Sequence, residues 1–409
     1  MWIFLSILYE KDICFNRKDS EMNILFLGTS FISIYEPLAH YIKSHGFDIE
    51  FLFCYFDETK IDDKYLTKYR HVSLPSKNGF NDKRNICALL SFLSSSEIDV
   101  VVNPNIPIDD ISGLIRKIKQ VYPVIKCIDM LHSCTNYVVL NKRIELKEMG
   151  FKDVRSLKQL FQYLFPTFYL FLLQKIELRR MKTSYSIFDR IILLSPHYVE
   201  DFISLLHLKE PTNKIIAIPN PKGSYDSCIP IKNKSRQIIF VGRLSKEKAV
   251  YRLLYIWEKV MNVLPDWEMV IVGDGPEKGK LELLSVSMDL QRISFCGVQK
   301  AIPYIDRASI LCLVSNFEGF PLVFVEAMSL GVVPIGFDSF SAIHDIIDNG
   351  INGVIIPSFD LNLYSSSLIE LASDEQFRCK MAQESQKKIK QYEVKKIASL
   401  WYNTFKELM

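Results

Sequence analysis

Short apolar runs of strand length recur along this 409-residue chain, and the stretches between them are long enough for a helix. Asn23–Leu27, Ile49–Phe53, Val100–Asn103, Val124–Met130 and Arg190–Leu194 make a first series. Two strands running in the same direction must be joined by a crossover of a dozen residues or more, usually a helix, so this alternation predicts βαβ units and a parallel sheet covered on both faces. The fold class is therefore α/β, with a doubly wound, Rossmann-like first lobe.

The Pro-rich passage from Pro219-Asn220-Pro221 through Pro230 to Ser235 breaks the pattern and reads as a linker. Beyond it a second series begins, with strands expected at Gln237–Val241, Glu268–Val272, Arg292–Phe295, Ile310–Val314 and Val332–Gly336. The chain is too long for one ordinary core, and two α/β lobes of similar size fit its length. The expected division is a first lobe over 22–220, a linker over 221–235, a second lobe over 236–392 and a last helix, Val394–Glu407, within 393–409. Residues 1–21 precede the first strand and are read as an extension or a misassigned start. Their opening Met-Trp-Ile-Phe-Leu-Ser-Ile-Leu is too short to span a bilayer and lacks a basic leader, so no targeting segment is expected.

A formal charge of +3 gives no global field for nucleic acid. Nine cysteines without a Cys-x-x-Cys pair fit a reduced, cytoplasmic chain, and no His/Cys cluster or Asp-x-Asp pair has metal-ligand spacing. No metal or cofactor is expected.

Two carboxylates, Glu318 and Glu326, flank the segment Gly-Phe-Pro-Leu-Val-Phe-Val. The first falls in the loop beyond a parallel strand, where open α/β sheets bind ligands, and the second about one turn inside the next helix. Carboxylates accept hydrogen bonds from vicinal hydroxyls, and free N–H groups at a helix start attract phosphate, so the segment suits a sugar, a ribose and a diphosphate together. Arg243 and Lys248 follow the strand ending Phe-Val-Gly and can neutralise a diphosphate. On its own Lys246-Glu247-Lys248 is a plain charge run; beside the two carboxylates it reads as part of a site. Gly273-Asp274-Gly275-Pro276 reads as a tight turn before a helix beginning at Pro276.

Val-Gly242-Arg243-Leu-Ser-Lys246-Glu247-Lys248, Val-Gly273-Asp274-Gly275-Pro276, Phe295-Cys-Gly297-Val298, the Glu318 to Glu326 segment and Asn352-Gly353, occurring in this order, resemble retaining glycosyltransferases of the GT-B fold, in particular family four of bacterial polysaccharide and lipopolysaccharide synthesis. The resemblance implies two Rossmann-like domains facing a central cleft, with the last helix crossing back to the first. It implies that Glu318 contacts the transferred sugar near its anomeric carbon and that Glu326 holds the ribose. Phe320, Leu322 and Val323 would surround the sugar and phosphate, with Leu322 and Val323 giving N–H groups and Phe320 shaping the pocket. Val298 would meet the base through its backbone, and His132, after the strand Val124–Met130, would contact the donor sugar. Gly28, in Gly28-Thr-Ser-Phe, stands where the family carries consecutive glycines near the phosphate, and Ala249 stands where it has a Gly after the Lys, which suggests a slightly different loop backbone.

The implied reaction moves a hexosyl unit from a nucleoside-diphosphate sugar, by family habit a UDP-sugar, to a hydroxyl of a glycan or lipid-linked acceptor, with Arg243 and Lys248 in place of a metal. A sugar-nucleotide epimerase on the same fold, or a catalytically silent partner subunit, are the alternatives. Finally, residues 142–182 carry ten Lys or Arg against four acidic residues, with Leu157, Leu160, Phe161, Leu164 and Phe165 on one helical face. This segment is equally a solvated basic helix or a peripheral contact with a membrane.

Overall fold

The computed structural model describes residues 22–28, 35–56, 61–104, 108–151, 154–209, 212–223 and 227–409; the extension at 1–21 lies outside them. Two parallel sheets organise the chain. The first holds β1 (Met22–Phe26), β2 (Ile49–Tyr55), β3 (His71–Ser73), β4 (Val100–Pro104), β5 (Lys126–Leu131), β6 (Arg190–Leu193) and β7 (Ile215–Ala217), in the order β3-β2-β1-β4-β5-β6-β7. The second holds β8 (Gln237–Val241), β9 (Glu268–Val272), β10 (Ile293–Phe295), β11 (Ile310–Leu313), β12 (Val333–Phe337) and β13 (Val354–Ile356), in the order β10-β9-β8-β11-β12-β13. The sheet order reverses between β1 and β4 in one lobe and between β8 and β11 in the other, and each reversal opens a crevice at the carboxyl ends of the strands.

Side chains on a strand alternate between faces, and both faces of the first sheet are buried. Leu25, Leu52, Val101 and Cys127 share one core with Phe92, Leu114 and Ile115 from the helices Lys83–Ser95 and Ile108–Val121. Ile24, Phe26, Phe51 and Phe53 belong to the other, which also takes in Trp401 and Phe405 of the helix Val394–Leu408. That helix, the last in the chain, packs on the first sheet: Trp401 meets Phe26 and Tyr35, Phe405 meets Phe51, and Glu407 accepts a 3.2 Å hydrogen bond from Arg190.

The chain thus passes between the lobes twice. Lys222 N donates to Tyr392 O at 2.7 Å, so the two passages lie side by side. The Pro-rich passage is anchored to the second lobe by Lys234, whose buried ammonium donates to the Asp306 carbonyl at 2.7 Å and to its carboxylate at 3.1 Å.

Candidate functional site

The second-lobe site is built on glycines. Gly242 N donates to Val272 O, Leu244 N to Asp274 O and Gly273 N to Gly297 O, at 2.8–3.0 Å, so the loops after β8, β9 and β10 lie main chain on main chain. A Cβ on Gly273 would stand 1.9 Å from Gly242 O, and one on Gly275 would stand 2.3 Å from Leu244 O. Gly273-Asp274-Gly275 is therefore required by close packing as well as by turn geometry, and the helix after it begins at Lys278 rather than at Pro276. Ala249 has φ +48, a left-handed conformation favoured by glycine, so the alanine adopts a glycine-like geometry.

Across the crevice between β8 and β11, Lys248 Nζ donates to both oxygens of Glu318, at 2.6 and 2.8 Å. Ser315 Oγ donates to the same carboxylate at 2.7 Å, and the Tyr198 hydroxyl of the first lobe donates to the Glu318 carbonyl at 2.5 Å. Beneath them, buried Arg252 donates to Val314 O at 2.9 Å and to Asn316 Oδ1 at 2.7 Å, fixing the end of β11. Its guanidinium lies 4.0 Å from the centre of the Phe359 ring.

Other groups nearby have no partner among the described residues. Arg243 is exposed and forms no ion pair among the described residues. Helix Leu322–Ser329 starts after Pro321, which offers no side-chain cap, and the N–H groups of Leu322 and Val323 have no acceptor among the described residues. An uncapped helix start with free N–H groups is a ready anion site. Glu326, in the second turn of this helix's eight residues, is half-buried, and burial holds its carboxyl above the usual carboxylate range with no cation beside it among the described residues.

Phe320 follows Gly319 in the loop that leads into the helix Leu322–Ser329. Its ring is buried edge-on against Tyr392, 5.2 Å between centroids, a contact that braces the loop. Val298 is 79% exposed, following β10 at the edge of the sheet. That edge is three strands, about 14 Å, from β11, roughly the reach of a nucleoside diphosphate.

In the first lobe, His132 follows β5 and meets the second lobe directly: a Cβ on Gly319 would stand 2.1 Å from His132 O. Its Nε2 lies 2.8 Å from the Tyr35 hydroxyl, and burial pulls the imidazole down to about 4, so the ring is neutral near pH 7. Just before it, Asp129 is buried against Asn103 and Ser184, and burial pushes its carboxyl up to about 6. Gly28 closes β1 with φ +86 and donates its N–H to Cys54 Sγ at 3.3 Å; Thr29 and Ser30 lie outside the described residues. Gly28 stands at the first sheet's own crevice.

The structure therefore gathers Lys248, Glu318, Gly319 and His132 at the meeting of the lobes, and sets Arg243, Leu322, Val323 and Glu326 on the same edge of the second sheet. Tyr35, Ser315, Tyr198 and Arg252 were not anticipated. Ser315 sits inside the strand-loop segment that was singled out, but nothing in the sequence links Tyr35 to a histidine 97 positions away.

Residues 225–388 match the family model described as "Glycosyl transferases group 1". An uncharacterized glycosyltransferase of Haemophilus influenzae is 28% identical over 215 residues, 52% of this chain and 60% of that relative. A lipopolysaccharide 1,6-galactosyltransferase of Salmonella typhimurium is 33% identical over 131 residues, 30% of this chain and 36% of that relative. The matched stretch thus spans less than two thirds of each of these curated relatives. Among solved structures, the apo lipopolysaccharide outer core galactosyltransferase WaaB superposes with a TM-score of 0.69 at 18% identity, covering 95% of this chain and all of its own. Anabaena HepE in complex with UDP gives 0.65 at 17%, covering 94% of this chain and all of its own. At such identities the likeness is one of fold: two Rossmann-like lobes in the GT-B arrangement.

Proposed function

We propose, from the match of residues 225–388 to the glycosyl transferases group 1 model, that this chain moves a hexosyl unit from a UDP-sugar to a hydroxyl of a glycan or lipid-linked acceptor in cell-surface polysaccharide synthesis, with retention of anomeric configuration. The observation that carries the reading is the set of unsatisfied groups along one crevice: the Arg243 guanidinium, the N–H groups of Leu322 and Val323, and the unpaired Glu326 carboxylate. One cation, two N–H donors and one acceptor match a diphosphate followed by a ribose diol. The choice of uridine draws support from HepE, which has been crystallised with UDP and with UDP-glucose.

In this reading Arg243 and Lys248 balance the charge that grows on the diphosphate as the bond from the anomeric carbon to the phosphate oxygen breaks. The acceptor oxygen bonds to that carbon on the same face, and its proton passes to the departing diphosphate. Glu318, oriented by Lys248 and Ser315, stands at the sugar, and neutral His132 meets the sugar from the other lobe. Backbone at Val298 receives the base. Catalysis then rests on positioning and charge stabilisation, with no covalent nucleophile.

Calorimetric titration with UDP and GDP tests the donor site. UDP is expected to bind, and Arg243→Ala to weaken it about tenfold, the loss of one charged hydrogen bond. Binding of neither nucleotide would overturn the reading, as would full transferase activity in a folded Glu326→Ala variant.

A further inference from the structure

The helix Pro166–Ile187 has 22 residues, about 33 Å, whereas a six-residue strand such as β5 spans about 20 Å. Its far end is pinned: buried Ser184 donates to Asp129 on β5, and the chain enters β6 at Arg190 just after the helix ends. To reach the start of β6 the helix runs back against the strand direction. Its surplus length therefore overhangs the carboxyl edge of the first sheet, the edge that carries His132.

The overhang is apolar and much of it is exposed, although the helices Tyr137–Glu148 and Leu157–Leu164 pack against the same helix. Phe168, Phe171 and Ile176 are 54, 52 and 50% exposed, and Leu164 and Phe165, which lead into it, are exposed as well. A helical stretch such as Phe168–Leu173, with large apolar or aromatic residues at every position, belongs in a core or a lipid phase, and its exposure on a water-facing surface marks a contact. Beside it Arg155, Lys158 and Lys175 are exposed and form no ion pair among the described residues, as is true of Arg179 and Lys182 farther along the helix, whereas Glu177 is engaged by Arg180. Lys175 Nζ stands 5.3 Å from the centre of the Phe171 ring, setting a cation beside the aromatic face. Among the described residues no helix is long and apolar enough to cross a membrane.

We propose that this overhang docks the protein on an anionic lipid bilayer, its apolar side chains at the acyl boundary and its cations on the phosphate headgroups. Charge favours lipid over a second copy of the chain, because a symmetric self-contact would bring the same cations against one another. The surface is separate from the groups of the cleft, so the proposal does not rest on the reaction assigned there.

Co-sedimentation with vesicles tests it. The protein should pellet with vesicles of phosphatidylcholine and phosphatidylglycerol and stay in solution with phosphatidylcholine alone. Raising salt from about 0.1 M to about 0.5 M should release it, since screening shortens the reach of the cations. The triple variant Phe168→Ser/Phe171→Ser/Leu172→Ser and the charge reversal Lys158→Glu/Lys175→Glu should each lower partition about tenfold or more. All five positions are exposed, so thermal melts should match wild type; should the triple variant melt early, the charge reversal and the salt titration decide. Wild-type protein that ignores anionic vesicles, or a folded triple variant that still pellets, overturns the proposal. A dimer seen by analytical ultracentrifugation and dissolved by the triple variant would assign the face to a second copy instead.

Discussion

The two facing edges of this molecule are held together by different means. On the second lobe, main chain lies on main chain: Gly273 against Gly242, Gly275 against Leu244, with Gly297 accepting from Gly273. On the first lobe, side chains hold one another: Tyr35 to His132, Asn103 and Ser184 to Asp129. Main-chain packing tolerates almost no substitution, because it leaves no room for a Cβ. Side-chain pairing costs only what one hydrogen bond and its burial are worth. The second edge is thus specified by residues that are absent in bulk, and the first by residues that are present in pairs.

The hardest blow to this contrast is Gly273→Ala, which puts a methyl 1.9 Å from a carbonyl oxygen at φ +143. A loss of about 4 kcal/mol or more is expected in urea melts, at the exceptional end for one substitution; a loss below about 1 kcal/mol would show that the loops are free to part. Next, Lys248→Met removes the cation from a buried Glu318. It should cost about 2–3 kcal/mol in stability and lower kcat about 100-fold or more, read from melts and sugar-transfer assays.

On the first edge the effects are smaller. Tyr35→Phe should cost about 1–2 kcal/mol, since it removes a hydroxyl that meets both His132 Nε2 and Met130 Sδ. His132 adds a pH signature: its folded value, lowered by burial to about 4, lies below the unfolded value of about 6.5, so its stabilisation is present above that range and is lost as pH falls from about 6.5 toward 4. Asp129, raised to about 6, works the other way, losing stabilisation as pH rises through that value. The two oppose one another, so the measurement is the difference in melting free energy between wild type and His132→Asn from pH 7 to 4.5, which should narrow as pH falls. A constant difference would mean that His132 is not desolvated. Smallest of all, Ala249→Gly should stabilise by under about 1 kcal/mol, relief of the left-handed backbone offset by the greater freedom of glycine in the unfolded chain.

What could be read from the sequence divides along the same line. Central strands such as β8 and β9 were expected at the bounds they have, because burial on both faces makes them continuous apolar runs. Of the four three-residue strands, all at sheet edges, β10 was expected but β3, β7 and β13 were missed, since so short a run carries no period to detect. On the second edge, Arg243, Lys248, Glu318 and Glu326 were named, since loop geometry there depends on short local patterns. Tyr35 and Arg252 were not, because their partners come from distant parts of the chain. The contact of Phe320 with Tyr392 was not legible either, because the two lie far apart in the chain.

The helix Val394–Leu408, which fills the underside of the first sheet, has a consequence for the order in which the molecule is made. Trp401 and Phe405 have no exposed surface, yet they are synthesised about 190 residues after β7. At ribosomal speeds of about 5–20 residues per second, the first lobe must wait about 10–40 s with that face open. During the wait its apolar strands are available to chaperones and to one another. The lobe that is translated first is therefore the lobe that is finished last, and deleting the final fifteen residues should be felt in the half of the protein farthest from them in sequence.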